Sequence, residues 1–320
     1  MATPDPGWTR TGSPFHAASL QIQSQLGMGD KMALIGQRTI RAFLPQQHQD
    51  FYPQLPFLLV GSVDRSGQPW ASILAAQPGF VSALDDTHVA VSARPLAGDP
   101  LAQNLVVGAQ LGVLGIELPT RRRNRLNGQI AGLSDGGFVI AVDQAFGNCP
   151  KYIQSRDANF VAPQDYHPGQ PVWLDALDDA ASTLISRADT LFIATSCLIA
   201  PAAQRPWQGV DISHRGGAPG FVAVNADGGL TLPDYMGNFH FRTLGNLQLE
   251  PRAGLLFVDF ATGDLLLVSV TTQVIWDGPR LAGFAGAQRL VDMQVTRALR
   301  LPGALPLRFS APQYSPVLPV

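Results

Sequence analysis

Residues 246–260 read "NLQLEPRAGLLFVDF", and residues 104–118 read "NLVVGAQLGVLGIEL". Laid side by side, the two stretches align Asn246 with Asn104 and Gly254 with Gly112. Each runs from a short polar segment through a turn into an apolar strand. The match extends outward on both sides. "TLFIATS" from Thr190 answers "FLLVGSV" from Phe57, and "APGFVAV" from Ala218 answers "QPGFVSA" from Gln77. Downstream, "GDLLLVSVTTQVIW" stands where "RNRLNGQIAGL" stood. Boxes recurring in one order at a long period point to two copies of one folding unit.

The unit itself reads as β. "FLLVGSV", the turn "DRSGQP" and "WASILAA" predict a hairpin with turn residues in place. Further strands follow around "FVSALDDTHVAVSA", and "DPLAQNLVVG" predicts a short helix with Asp99 as N-cap, Pro100 at its first position and Gly108 as its stop. Antiparallel strands interrupted by one short helix predict a small barrel and not a doubly wound sheet. Ahead of it, residues 13–44 predict helix broken near Gly27, starting at Ser13-Pro14. The expected organisation is a tail with helices over 1–50, a first barrel over 51–165, a Pro/Gly linker and amphipathic helix over 166–189, and a second barrel over 190–320.

Composition narrows the function. Charged residues make up 14% of the 320, apolar residues 46%, and the net charge is −2. A general polyanion binder needs a basic surplus, so nucleic acid is not expected as a partner. There is no basic segment leading into an apolar one at the start, and no apolar run long enough to cross a membrane, so a cytoplasmic location is expected. Two cysteines make no disulfide framework, and neither paired C-x-x-C motifs nor histidine spacing suggests a metal.

Where two copies differ, polar positions are candidates for function. "GNFHFRTLGNL" (237–247) carries Asn238, His240, Arg242 and Thr243, where the first copy has Leu96, Gly98, Pro100 and Leu101. A helix starting beside Arg242 and Thr243, with Asn246 close by, suits an anion. Arg215, in "SHRGGAPG", adds a guanidinium on a glycine-rich turn, and alternation sends Arg123 and Arg125 to one face of their strand. Cys149, before Pro150, reads either as a thiol at a helix start or as a small packing residue, and Lys151 as a possible anion contact.

Together "SPFH" (13–16), "QQHQDFYPQLPFLLVGSVDRSGQPWAS" (46–72), "GDPL" (98–101), "TRRRNRLNG" (120–128), "FGNCPKYIQ" (146–154), "DISHRGGAPGFV" (211–222) and "LPDYMGNFHFRTLGNL" (232–247) resemble the pyridoxamine 5'-phosphate oxidase-related family of FMN-binding split barrels, in its long subgroup. The resemblance implies two tandem split β-barrels of Greek-key type forming a pseudo-dimer within one chain. It implies FMN between them, with Arg242, Thr243, Asn238 and Asn246 on the phosphate, Arg215 assisting, and Arg123, Arg125 and Asn127 facing the same site. The Arg-x-x-Leu-Leu-Lys strand and C-terminal Trp and Arg of the vitamin B6 oxidases are missing, so that substrate is not implied. The expectation is an FMN-dependent oxidoreductase with unassigned small-molecule substrate and electron donor, and with homodimer formation open. The alternative is a flavin- or haem-binding carrier or sensor without turnover.

Overall fold

The computed structural model describes residues 6–198 and 209–318. Helices α1 (Ala17–Gln25), α2 (Gly29–Thr39) and α3 (Gln46–Gln49) lead into β1 (Phe57–Val63), β2 (Pro69–Ala75), β3 (Val81–Ala83) and β4 (His88–Val91). Then come α4 (Leu101–Asn104), β5 (Gln110–Glu117), β6 (Arg122–Ser134) and β7 (Gly137–Gly147). A connection holds β8 (Ala158–Phe160), β9 (Val172–Leu174) and α5 (Asp179–Arg187). The second half has β10 (Thr190–Cys197), β11 (Gly209–Gly216), β12 (Ala223–Val224), β13 (Leu230–Tyr235), α6 (Arg242–Leu249), β14 (Arg252–Val258), β15 (Leu265–Ile275), β16 (Ala287–Leu301) and β17 (Leu307–Phe309).

These strands make two large antiparallel sheets. The first runs β2-β1-β5-β6-β7-β4-β3 and the second β11-β10-β14-β15-β16-β13-β12, so strand order is the same in both. The registers agree as well. β6 shifts against β7 between Asn127 and Gly128, and β15 shifts against β16 between Ser269 and Val270, at matching places. Each sheet curls around its own apolar core without closing. Leu58, Val60, Leu74, Val89, Leu126 and Ile140 fill the first, and Ile193, Leu230, Leu255, Phe257, Val268 and Val291 the second. The chain is therefore mainly β, as expected, with two open barrels in tandem.

The aligned glycines mark where the barrels meet. A Cβ on Gly112 would strike the Val210 carbonyl oxygen and the Asp211 Cα, and one on Gly254 the Pro69 carbonyl oxygen and the Trp70 Cα. At each position a strand of one barrel lies against the backbone of the other, which only glycine permits. In both halves the matching Asn of the repeat ties the short helix to a strand of its own barrel. Asn104 Nδ2 donates to Ser62 Oγ at 2.9 Å, and Asn246 Nδ2 to Thr195 Oγ1 at 3.0 Å.

Three local expectations change. α1 starts at Ala17 and not at Ser13-Pro14, because His16 is the N-cap, its Nδ1 accepting from the Ser19 N–H at 3.4 Å. The Pro14 carbonyl is committed elsewhere, to Gln144 Nε2 at 2.9 Å. α4 is one turn long, although the Asp99 carboxylate does accept the Leu101 N–H at 2.8 Å. The linker also supplies sheet, β9 pairing with β16, and β8, inside the span expected for the first barrel, pairs with β17 of the second half. Among the described residues no helix is long and apolar enough to cross a membrane.

Candidate functional site

At one end of the seam between the barrels lies a cleft. The first barrel lends it Arg123 and Arg125 from β6 and Asn148, Cys149, Lys151 and Tyr152 after β7. The second lends Ser213, His214 and Arg215 from β11, Asp234 and Tyr235 from β13, the 236–241 loop, and the start of α6. Strand alternation puts Arg123 and Arg125 on the same face, as the sequence implied.

Charge in the cleft is unbalanced. Asp211, buried behind its wall, takes Arg125 Nη2 at 2.6 Å and Asn127 Nδ2 at 2.7 Å from the first barrel. From the second barrel it takes Arg242 Nη1 at 3.6 Å and Asn246 Nδ2 at 3.5 Å. Burial pushes the Asp211 carboxyl up, but Arg125 and Arg242 outweigh it and the group stays below the usual carboxylate range. Arg242 also donates to Gln144 Oε1 and to the Pro14 carbonyl. Asp234 is shared by Arg215 at 3.6 Å and Arg289 at 3.3 Å. Arg123 donates only to the Cys149 carbonyl, at 2.8 Å, and among the described residues neither Arg123 nor Lys151 has a carboxylate partner. Burial, then repulsion by Arg125 and Arg215, lowers Arg123 to about 9. A positive surplus in a half-enclosed cleft attracts anions.

Two neutral imidazoles complete the wall. His214 stacks edge-on against Phe192, and His240 lies between Phe15 and Phe146. Burial and the nearby arginines lower His240 to about 3 and push His214 well below its ordinary value. His214 Nε2 and His240 Nδ1 are buried without a hydrogen-bond partner, a costly arrangement unless something else meets them.

The backbone here is strained. Tyr152 (φ 65°), Phe239 (φ 59°) and Phe241 (φ 51°), all lining the cleft, adopt the left-handed region. Each costs about 1–3 kcal/mol, and such residues cluster at functional sites. The N-terminal helix holds the 239–241 loop in place. Gln23 Nε2 donates to the Phe239 carbonyl at 3.1 Å and the His240 carbonyl at 3.4 Å, and Ser19 Oγ to the Phe241 carbonyl at 3.3 Å. Gly245 allows the approach, since a Cβ there would meet His16 and Ser19. Across the mouth, Asn238 Nδ2 donates to Asn148 Oδ1 at 3.1 Å and the Tyr152 hydroxyl to the Met236 carbonyl at 3.0 Å.

Of the expected residues, Arg123, Arg125, Arg215, Asn238, Arg242 and Thr243 line the cleft. Asn127 and Asn246 stand behind them on Asp211. Thr243 donates to Ser213 Oγ at 3.1 Å. Arg215 belongs to β11 and not to a turn. No helix begins at Cys149: the segment is a turn, made by left-handed Tyr152, and Lys151 does line the cleft. Asp211, His214, Asp234, Gln144, Tyr152 and Arg289 were not anticipated.

No family model matches the chain, and no curated protein matches it by sequence. Solved structures do. HupZ of Group A Streptococcus is 13% identical over 40% of this chain and 97% of its own, with a TM-score of 0.31. A putative pyridoxamine 5'-phosphate oxidase from Lactobacillus delbrueckii is 15% identical over 39% of this chain and 94% of its own, with a TM-score of 0.30. The Bacillus subtilis inhibitor of motility MotI is 9% identical over 75% and 87%, at 0.19. Likeness at this level carries nothing about ligand or reaction. The site has to speak through its own residues.

Proposed function

We propose that the chain is an internal duplication of one split barrel that binds FMN in the cleft between its copies and acts as a flavin-dependent oxidoreductase. The observation that carries the reading is the charge surplus: Arg123 and Lys151 lack a carboxylate among the described residues, and Arg215 shares Asp234 with Arg289. A phosphate monoester would supply the missing negative charge, and guanidinium forks suit its oxygens. Phe221, Phe239, Phe241, Tyr152 and Tyr235 offer apolar faces for a ring. The unpartnered nitrogens of His214 and His240 offer uncharged hydrogen bonds to a heteroatom-rich edge.

This division differs from a clamp built on Arg242. That guanidinium and Arg125 are already shared with Asp211, so they fix the wall and lend it field, while Arg123, Lys151 and Arg215 take the phosphate. Bound FMN supplies the two-electron chemistry. The protein positions it, keeps positive charge beside it and presents no acid or base that titrates near neutrality among the cleft histidines.

The same two histidine nitrogens favour a haem carrier as second reading, since imidazole is a common axial ligand. The absorption spectrum of the freshly purified protein separates them. FMN gives flavin bands that are lost from an Arg123→Ala, Arg215→Ala protein, and haem gives a Soret band lost from His214→Ala or His240→Ala. A colourless protein that takes up neither added group overturns both.

A further inference from the structure

We infer that the chain has a single ligand site, and that the matching position at the other end of the seam is a filled counterpart that fastens the two barrels together. This rests on the flavin reading for the ligand's identity, but not for the asymmetry.

The registers define which residues correspond. Gly112 pairs with Asn127 and Gly254 with Ser269, so Arg125 matches Leu267 and Arg123 matches Leu265. Ser62 faces Trp70 and Thr195 faces Asp211, so Asp211 matches Trp70 and His214 matches Ile73. Asn124 pairs with Gly147 and Leu266 with Arg300, which matches Asn148 to Leu301, Lys151 to Ala304 and Tyr152 to Leu305. Aligned on Asn104 and Asn246, Arg242 matches Pro100 and Thr243 matches Leu101.

At the other end, then, nearly every cation and hydrogen-bonding group of the cleft has an apolar counterpart. Those counterparts are packed solid: Trp70, Ile73, Leu265, Leu267, Leu301, Ala304 and Leu305 belong to one buried cluster, each at most 5% exposed. The linker seals it from outside. Trp173 of β9 lies edge-on to Trp70, ring centroids 5.8 Å apart, and Pro171 sits where a Cβ on Gly98 would be. Such a surface gives a phosphate nothing and would charge the full desolvation cost. It contributes instead the apolar burial that a polar, half-open cleft cannot, and so holds the barrels at a fixed spacing.

The test is a stoichiometric titration of the full-length chain, stripped of bound flavin, with FMN at protein concentrations well above Kd, followed by flavin fluorescence. One equivalent per chain is expected, falling to none in the Arg123→Ala, Arg215→Ala protein. Two equivalents overturn the inference. If FMN does not bind, the flavin reading fails, and the asymmetry is tested without it. Cysteine is placed at the two matching positions, Arg123→Cys and Leu265→Cys, in a Cys149→Ser background. A soluble disulfide reagent should label Arg123→Cys about 100-fold faster or more, because the buried thiol reacts only after local opening. Equal rates in the folded proteins overturn the inference.

Discussion

Matching positions build both ends of the seam, yet one end is a charged cleft and the other is solid hydrocarbon. At the open end Asp211 gathers Arg125, Asn127, Arg242 and Asn246 from both barrels. At the closed end Trp70 occupies the Asp211 position with Leu267 across from it, in place of Arg125. A buried ion network is weak glue, because desolvation offsets most of its attraction. Apolar packing is strong glue but has no room for a ligand. The comparison teaches that the apolar burial of the seam is concentrated at one end and its charge at the other.

The largest expected effect concerns pH. His16, His214 and His240 all serve the open end, and burial with nearby Arg242, Arg123 or Arg125 keeps each below its ordinary pKa: His16 at about 4, His240 at about 3, His214 well down. Since the unfolded chain takes up these protons first, stability is complete above about pH 6.5 and is lost as pH falls toward 4. Each group withdraws about 1.4 kcal/mol per pH unit in that window. Chemical denaturation from pH 7 to 4.5 should show this, and His214→Ile, which installs the closed-end residue, should flatten the curve. An unchanged slope breaks the assignment of acid sensitivity to the open end.

Next in size is the closed end. Trp70→Ala should cost about 3–5 kcal/mol, as a large buried aromatic leaves a cavity. That loss should be the same at pH 7 and pH 5, unlike the histidine effect. Thermal melts at both values check it.

The smallest effect compares the two short helices. α4 is capped by Asp99, whose carboxylate takes the Ser72 hydroxyl at 2.7 Å and the Leu101 N–H. At the same position α6 has Phe241, left-handed and offering no side-chain cap. Burial raises Asp99 to about 6, so its ionisation on going from pH 4 to 7 works against the fold. Asp99→Asn keeps the acceptor and should gain about 2 kcal/mol at pH 7 over its effect at pH 4. A larger loss at pH 7 than at pH 4 would mean that the charge itself caps α4.

Much of this architecture is legible in the order of the residues. The PGFV boxes and the Asn104/Asn246 and Gly112/Gly254 matches mark the repeat, because glycine contacts and helix ties are set by local residues. Arg123, Arg125 and Arg215 stand out because cations on apolar strands are conspicuous, and Arg242 because its counterpart is Pro100. Asp211 and His214 stay hidden until "VDISHRG" is aligned with "PWASILA", where Trp70 and Ile73 expose the exchange. The balance of charge is hidden for a deeper reason. Which arginine is neutralised depends on partners 86 residues away for Arg125 and on a carboxylate shared by both barrels, and no local pattern encodes that.

The Gln23 contact has a consequence for how the molecule can be handled. Its amide grips a loop 216 and 217 positions farther along, and that loop carries two phenylalanines in a backbone conformation they would not keep alone. The opening helix is thus a splint, set across a bend that springs back when the splint comes off. A version that lacks only this helix keeps every strand and every cleft arginine in its sequence, and still loses the contacts that shape the wall on which His240 is mounted.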